Sequence, residues 1–215
     1  MIKEGNFTVD TIKQILKELS QKRPIFHSEA DFQHALAWEI HQKFNKIDIR
    51  LEKRFMVNEL GEIYVDILLK IDDAAIAIET KYTTKKLEIK LNGEEFVLKN
   101  HSALDVRRYD FLLDMYRLEK LKSTGKVVKG YAVFLTNDPG YWKEPKRKNT
   151  NDEDFRIHQG RKIKANETLQ WAPNTSKGTK KGRERLLRFK KEYSFEWELY
   201  SKDTHYEFKY LLVEV

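Results

Sequence analysis

The sequence predicts an α/β protein: a mixed central β-sheet flanked by helices. Three observations predict it. Two stretches with helical apolar spacing open the chain. Two adjacent runs that are apolar on both faces follow. A long helical stretch then leads into a further apolar run. Runs apolar on both faces belong to central strands covered by helices on each side.

Val9, Ile12, Ile15, Leu16 and Leu19 recur at helical spacing, so residues 9–21 form an amphipathic helix that Pro24 ends. Ser28-Glu-Ala-Asp has the character of a capping box and opens a second helix over 28–44, with Phe32, Ala35, Leu36 and Ile40 as its stripe. Residues 47–57 (IDIRLEKRFMV) form a strand. EIYVDILLKI and AAIAIETKY, separated by Asp72-Asp73, form an antiparallel hairpin of central strands. LEIKL-NG-EEFVLK alternates apolar and charged residues around Asn92-Gly93 and forms a half-exposed hairpin. Residues 100–121 form a long helix facing inward through Leu104, Phe111, Leu112, Met115, Leu118 and Leu121, and GYAVFLT after Gly125 is a buried strand. Residues 149–154 and 173–182 read as polar loops. YSFEWELY and HYEFKYLLVEV pair as late strands around 201–204.

The 215 residues are 40% hydrophobic and 12% aromatic, enough for a packed core. With neither an internal repeat nor a clear linker, the whole chain, 1–215, reads as one domain. No apolar run approaches the ~20 residues that span a bilayer, and MIKEGNFTVD lacks the apolar stretch of a secretory signal. The absence of cysteine excludes disulfides and thiolate metal sites and fits a cytoplasmic protein. The six histidines show no metal-ligand pairing. Net charge is +7 but uneven: between Lys143 and Lys191 there are 16 Lys/Arg against 6 Asp/Glu, which leaves 25 basic against 28 acidic residues elsewhere. One basic segment on a near-neutral body suggests a polyanionic partner such as nucleic acid; the alternative is a solubilising surface.

Phosphodiester hydrolysis needs hard oxygen ligands for a divalent cation, and a second cation beside the attacking water. On a strand, Glu79 and Lys81 share one face while Thr80 points to the other. Hairpin pairing around residues 72–75 brings Asp66 close to the level of Glu79. Glu-x-Lys occurs three times, at 79–81, 88–90 and 207–209. Glu88 and Lys90, like Glu207 and Lys209, alternate with apolar neighbours as a solvated face does. Glu79 instead follows Ala-Ala-Ile-Ala-Ile, and Asp66 sits within IYVDILL, where an unpaired carboxylate costs several kcal/mol, roughly, in desolvation. The competing arrangement is a buried Asp66–Lys81 salt bridge with Glu79 at the exposed strand end.

Asp66 and Glu79-Thr80-Lys81 make the chain resemble the PD-(D/E)XK nucleases, the restriction-endonuclease-like superfamily, over residues 28–136 in αβββαβ order. Val65 replaces the proline of the motif's name, the Asn92-Gly93 hairpin is an insertion, and residues 137–215 are a basic C-terminal elaboration with extra strands. The resemblance implies that Asp66, Glu79 and the Thr80 carbonyl bind Mg2+ (or Mn2+) and that Lys81 orients the attacking water. It also implies a helix carboxylate, Glu29 or its rival Glu39, and phosphodiester hydrolysis in nucleic acid, DNA before RNA. A homodimer, whose two sites can cut both strands, is consistent with it.

On the 100–121 helix, Asp110, Asp114 and Arg117 share a face that reads as a salt-bridged solvent face, while His101, Arg107 or Arg108 could lie near the scissile phosphate. Tyr141 and Trp142, followed by Lys143, Lys146, Arg147 and Lys148, combine stacking surfaces with phosphate-binding charge, unless the rings pack beneath the loop. Lys180, Lys181 and Arg183 suit phosphates without reading bases. The alternative to an enzyme is a catalytically inactive nucleic-acid-binding or protein-interaction module on the same fold.

Overall fold

The computed structural model describes residues 7–44, 46–71 and 73–215. Helix α1 (Val9–Lys22) starts at Thr8, which forms a capping box with Thr11. Helix α2 (Glu29–Lys43) starts at Ser28, whose hydroxyl accepts the Asp31 N–H. Strands β1 (Asp48–Val57), β2 (Gly61–Ile71) and β3 (Ala74–Thr83) follow as an antiparallel meander. Ile71 and Ala74 close the β2–β3 hairpin; of its expected Asp-Asp turn, Asp72 lies outside the described residues.

Strands β4 (Leu87–Leu91) and β5 (Glu94–Leu98) form a separate hairpin. Asn92 (φ 50) and Gly93 (φ 85) are both left-handed, as a two-residue hairpin turn requires. Helix α3 (Leu104–Ser123) begins four residues later than its sequence pattern suggests. The reason is tertiary. His101 N–H bonds the Thr84 carbonyl (2.7 Å), Thr84 N–H bonds His101 Nδ1 (2.9 Å), and Ala103 turns left-handed (φ 63) to enter the helix.

Strand β6 (Lys129–Thr136) follows, with the helical turn α4 (Pro139–Trp142) after it. A 3-10 turn (Glu153–Phe155), β7 (Lys162–Ile163), β8 (Thr168–Leu169), the turn α5 (Lys177–Lys180), β9 (Leu187–Arg188) and β10 (Tyr193–Ser194) form a cover with two small ladders, β7–β10 and β8–β9. The last two strands, β11 (Trp197–Lys202) and β12 (Glu207–Glu214), pair as expected and extend the main sheet.

That sheet runs β1-β2-β3-β6-β12-β11 and is mixed, because β3 and β6 are parallel while its other neighbours are antiparallel. A parallel pair needs a crossover, here the hairpin and α3. One face packs on α1 and α2, with Leu16, Phe32 and Leu36 against Ile76, Ile78 and Val133. The other packs on α3, with Phe111, Leu112 and Met115 against Ala77 and Phe134. Phe155, Leu169, Trp171, Leu187 and Phe189 of the cover join this second core, so it lies on α3 rather than forming loops alone. Among the described residues no helix is long and apolar enough to cross a membrane.

Phe134 is buried against Phe111 (5.2 Å), Tyr141 (4.8 Å) and Trp197 (5.7 Å). Phe134→Ala is expected to cost about 3–5 kcal/mol, lowering Tm by about 6–20 °C in a thermal melt. Val97→Ala, on a hairpin residue 63% exposed, should change stability by under about 0.5 kcal/mol. Equal losses would contradict this core.

Candidate active site

The sheet is interrupted at Asp66. The β1–β2 pairing passes from Leu51↔Ile67 to Lys53↔Val65 and leaves out Glu52, which is left-handed (φ 51). The β2–β3 pairing ends at Ile67↔Ile78. Side chains change face here: Ile63 and Val65 pack on the α3 side, whereas Ile67 and Leu69 pack on the α1/α2 side. Hydrogen bonds that the ladders would have made are replaced by side chains. Asp66 Oδ2 accepts from both the Thr80 N–H and the Thr80 hydroxyl, each at 2.7 Å. Gln33, buried on α2, donates through Nε2 to the Asp66 carbonyl (2.8 Å) and to Glu52 Oε1 (2.9 Å). Gln33 was not singled out from sequence, since a lone glutamine on a helix carries no pattern.

Glu79 and Lys81 follow Ala77 on the face toward α3. Glu79 is only 7% exposed, and among the described residues nothing donates a hydrogen bond to its carboxylate. Lys81 Nζ bonds Asp114 Oδ2 (3.0 Å) and lies 4.0 Å from Glu29 Oε1. Glu29 Oε2 accepts the Tyr82 N–H (2.8 Å), so the start of α2 is tied to the same strand. Asp66 and Lys81 do not form a salt bridge. Asp114, expected on a solvent face, is instead buried, and it also accepts from Arg117 (3.1 Å). The helical repeat of α3 located the side that Asp114 occupies, but not that β3 passes beneath it.

Burial raises the Asp66 carboxyl to about 6; the Thr80 hydrogen bonds oppose this and the Asp114 charge adds to it. Burial, then the charges of Asp114 and Asp66, hold Glu79 well above the usual carboxylate range. Burial pulls Lys81 down, but Asp114, Glu29 and Glu79 outweigh it and keep its ammonium above its ordinary value. Three carboxylates, Asp66, Glu79 and Asp114, act on one another here, and they are answered by Lys81 and by Arg117, which bonds Asp114. Among the described residues no group of three or more His, Asp or Glu side chains forms a ready-made metal cage. Mg2+ needs none: one or two carboxylates suffice, with waters completing the shell.

The other expected site residues divide. Glu39 is buried in an ion pair with Lys22 (2.6 Å), whereas Glu29 lies 4.0 Å from Lys81. Arg107 is half-buried in the first turn of α3. Arg108 is a correction: it is buried, ion-paired with Asp152 and bonded to the Gly140 carbonyl (2.7 Å), which holds the cover onto α3. Tyr141 and Trp142 are corrected too, since both rings are buried in the α3-side core and offer no stacking surface. Lys143, Lys146, Arg147 and Lys148 are exposed, as is Lys181; Lys180 is half-buried. Arg183 is held by two bonds to Asp110 (2.7 and 3.0 Å), so its charge is committed within the fold. Of the other Glu-x-Lys pairs, Glu88 and Lys90 are exposed, and Glu207 and Lys209 pair with each other (3.7 Å). Compared with family models, curated proteins and solved structures, the chain matches none.

Two measurements follow from this geometry. Asp66 holds its proton more tightly folded than unfolded, so its contribution to stability is complete below about pH 4 and is lost as pH rises through about 6. Glu79 acts in the same direction. In metal-free buffer at pH 8, Glu79→Gln is therefore expected to melt about 3–6 °C above wild type, and to lose less stability between pH 5 and pH 8. A lower Tm for the variant at pH 8 would refute the uncompensated carboxylate. Gln33→Leu strips the Asp66 carbonyl of its donor and should cost about 1–3 kcal/mol in denaturant unfolding; a neutral result would mean that another group satisfies it.

Proposed function

We propose that this chain is a metal-dependent nuclease of the PD-(D/E)XK type, with DNA as the substrate to test first. One observation carries the reading. A buried carboxylate with no hydrogen-bond donor among the described residues, Glu79, follows Asp66 across a break in the sheet, with Lys81 on the same strand face. The order α2-β1-β2-β3-α3-β6, with β3 parallel to β6, supports a restriction-endonuclease-like core. The exposed run Lys143, Lys146, Arg147 and Lys148 supports a polyanionic substrate.

Asp66, Glu79 and the Thr80 carbonyl would hold Mg2+ or Mn2+. Such an ion, when bound, supplies positive charge to the phosphate and lowers the pKa of a coordinated water. Thr80 fixes the Asp66 carboxylate through two hydrogen bonds, so one oxygen is oriented and the other remains available. Asp114 aims the Lys81 ammonium and keeps it protonated; Lys81 therefore orients the nucleophile and stabilises developing negative charge rather than removing a proton. Glu29, within 4.0 Å of Lys81, limits where that ammonium can swing.

Plasmid and single-stranded DNA incubated with Mg2+ or Mn2+ should be cut, and EDTA should stop the reaction. Glu79→Ala is expected to lower the rate at least about 1000-fold and Lys81→Ala about 100- to 1000-fold. Metal-independent cutting, or Glu79→Ala as active as wild type, would defeat this reading.

A further inference from the structure

We propose that the pocket sharing Glu29 with the carboxylate site is a phosphate-binding subsite that grips the substrate strand beside the cut. The inference rests on the nuclease reading for the identity of that strand. The cavity, about 310 Å3, is bounded by the start of α2, the end of β3, β5 and the segment that leads into α3. Ser28, Glu29, Lys99, His101 and Arg107 are among its walls.

Its two cations are uncommitted among the described residues and line a concavity. On α3, Arg108 is paired with Asp152 and Arg117 with Asp114, but Arg107 forms no ion pair or side-chain hydrogen bond among the described residues, although it is half-buried. The exposed Lys99 is likewise unpaired among them. His101 Nδ1 accepts the Thr84 N–H, so the imidazole proton sits on Nε2 and serves as a donor. Burial, and then the Arg107 charge, hold this histidine below its usual range, so it donates as a neutral ring. The Ser28 oxygen accepts from Asp31 and leaves its own hydrogen to give. The acid in this wall, Glu29, already faces the Tyr82 N–H and Lys81, and His27, also in the wall, pairs with Glu94 (2.8 Å).

The wall is also held in place before any ligand arrives. Thr84 receives the His101 N–H on its carbonyl and gives its hydroxyl to the Lys99 carbonyl (2.7 Å). The left-handed Ala103 then turns the chain so that Arg107 falls in the first turn of α3. Two cations and two neutral donors around a fixed concavity match the several oxygens and negative charge of a phosphate group. Glu29 lies 4.0 Å from Lys81, which puts this pocket next to the reacting centre. A terminal monophosphate and an internal phosphodiester share this chemistry.

The test measures equilibrium binding of short oligodeoxynucleotides, single-stranded and duplex, with a 5′-phosphate or a 5′-hydroxyl, in EDTA so that neither metal nor cleavage contributes. Arg107→Ala should weaken binding about tenfold and reduce the salt slope by about 0.7–0.9, one phosphate contact. Lys99→Ala, at an exposed position, should weaken it several-fold without changing Tm, which keeps the test valid if Arg107→Ala misfolds. A loss confined to the 5′-phosphorylated strand assigns the pocket to a strand end; equal losses on both assign it to an internal phosphate. If both variants bind every strand as wild type does, the subsite is refuted, while Glu79-dependent cutting would still stand. If no strand is cut yet binding depends on Arg107 and Lys99, the subsite holds and the nuclease reading fails.

Discussion

The two hydrogen bonds from Thr80 to the Asp66 carboxylate are the interaction on which the site depends. A continuous ladder would satisfy the Thr80 N–H with a backbone carbonyl and turn Asp66 away. Here the sheet opens on both sides of Asp66, through the left-handed Glu52 and through the end of β2–β3 pairing. Gln33 takes the carbonyl thus exposed. A buried backbone group cannot be left unpaired cheaply, so the interruption persists only because side chains from α2 and β3 complete it. The result is a carboxylate held within a sheet yet directed out of its hydrogen-bonding pattern.

Around this point the electrostatics are unbalanced by design of the packing. Desolvation and mutual repulsion raise Asp66 and Glu79, whereas Asp114, Glu29 and Glu79 hold Lys81 in its charged form. A closed salt bridge would have relieved the carboxylates. Asp114 instead engages Lys81 from α3, and Glu79 is left without a donor among the described residues. All three shifts are upward, and strongly shifted groups gathered in one small region mark a candidate functional site.

The C-terminal residues contribute in two ways. β11 and β12 widen the sheet beyond β6, and the cover from α4 to β10 packs aromatic side chains against the outer side of α3. Arg108 with Asp152, and Arg183 with Asp110, fasten that cover. α3 is therefore clamped between the sheet and the cover, and it is the helix that carries Asp114 and Arg107. Much of the positive charge that marks this segment in the sequence is exposed, but part of it is structural.

Period and composition by themselves determined the α/β class, the extents of the first two helices, the Asn92-Gly93 turn and the pairing of the late strands. Each rests on local chemistry: helical or alternating apolar spacing, a capping serine, a turn needing two left-handed residues. They also singled out Asp66, Glu79 and Lys81, because charge inside an apolar run is visible without coordinates. Only the tertiary structure decided that Asp114 and not Asp66 pairs with Lys81, that Gln33 supports Asp66, and that Glu29 rather than Glu39 lies near Lys81. It also decided that Tyr141, Trp142 and Arg108 are interior, and that α3 starts at Leu104. These outcomes depend on which elements meet across the fold. A contact between residues 33 positions apart, as Gln33 and Asp66 are, leaves no trace in the spacing of either segment.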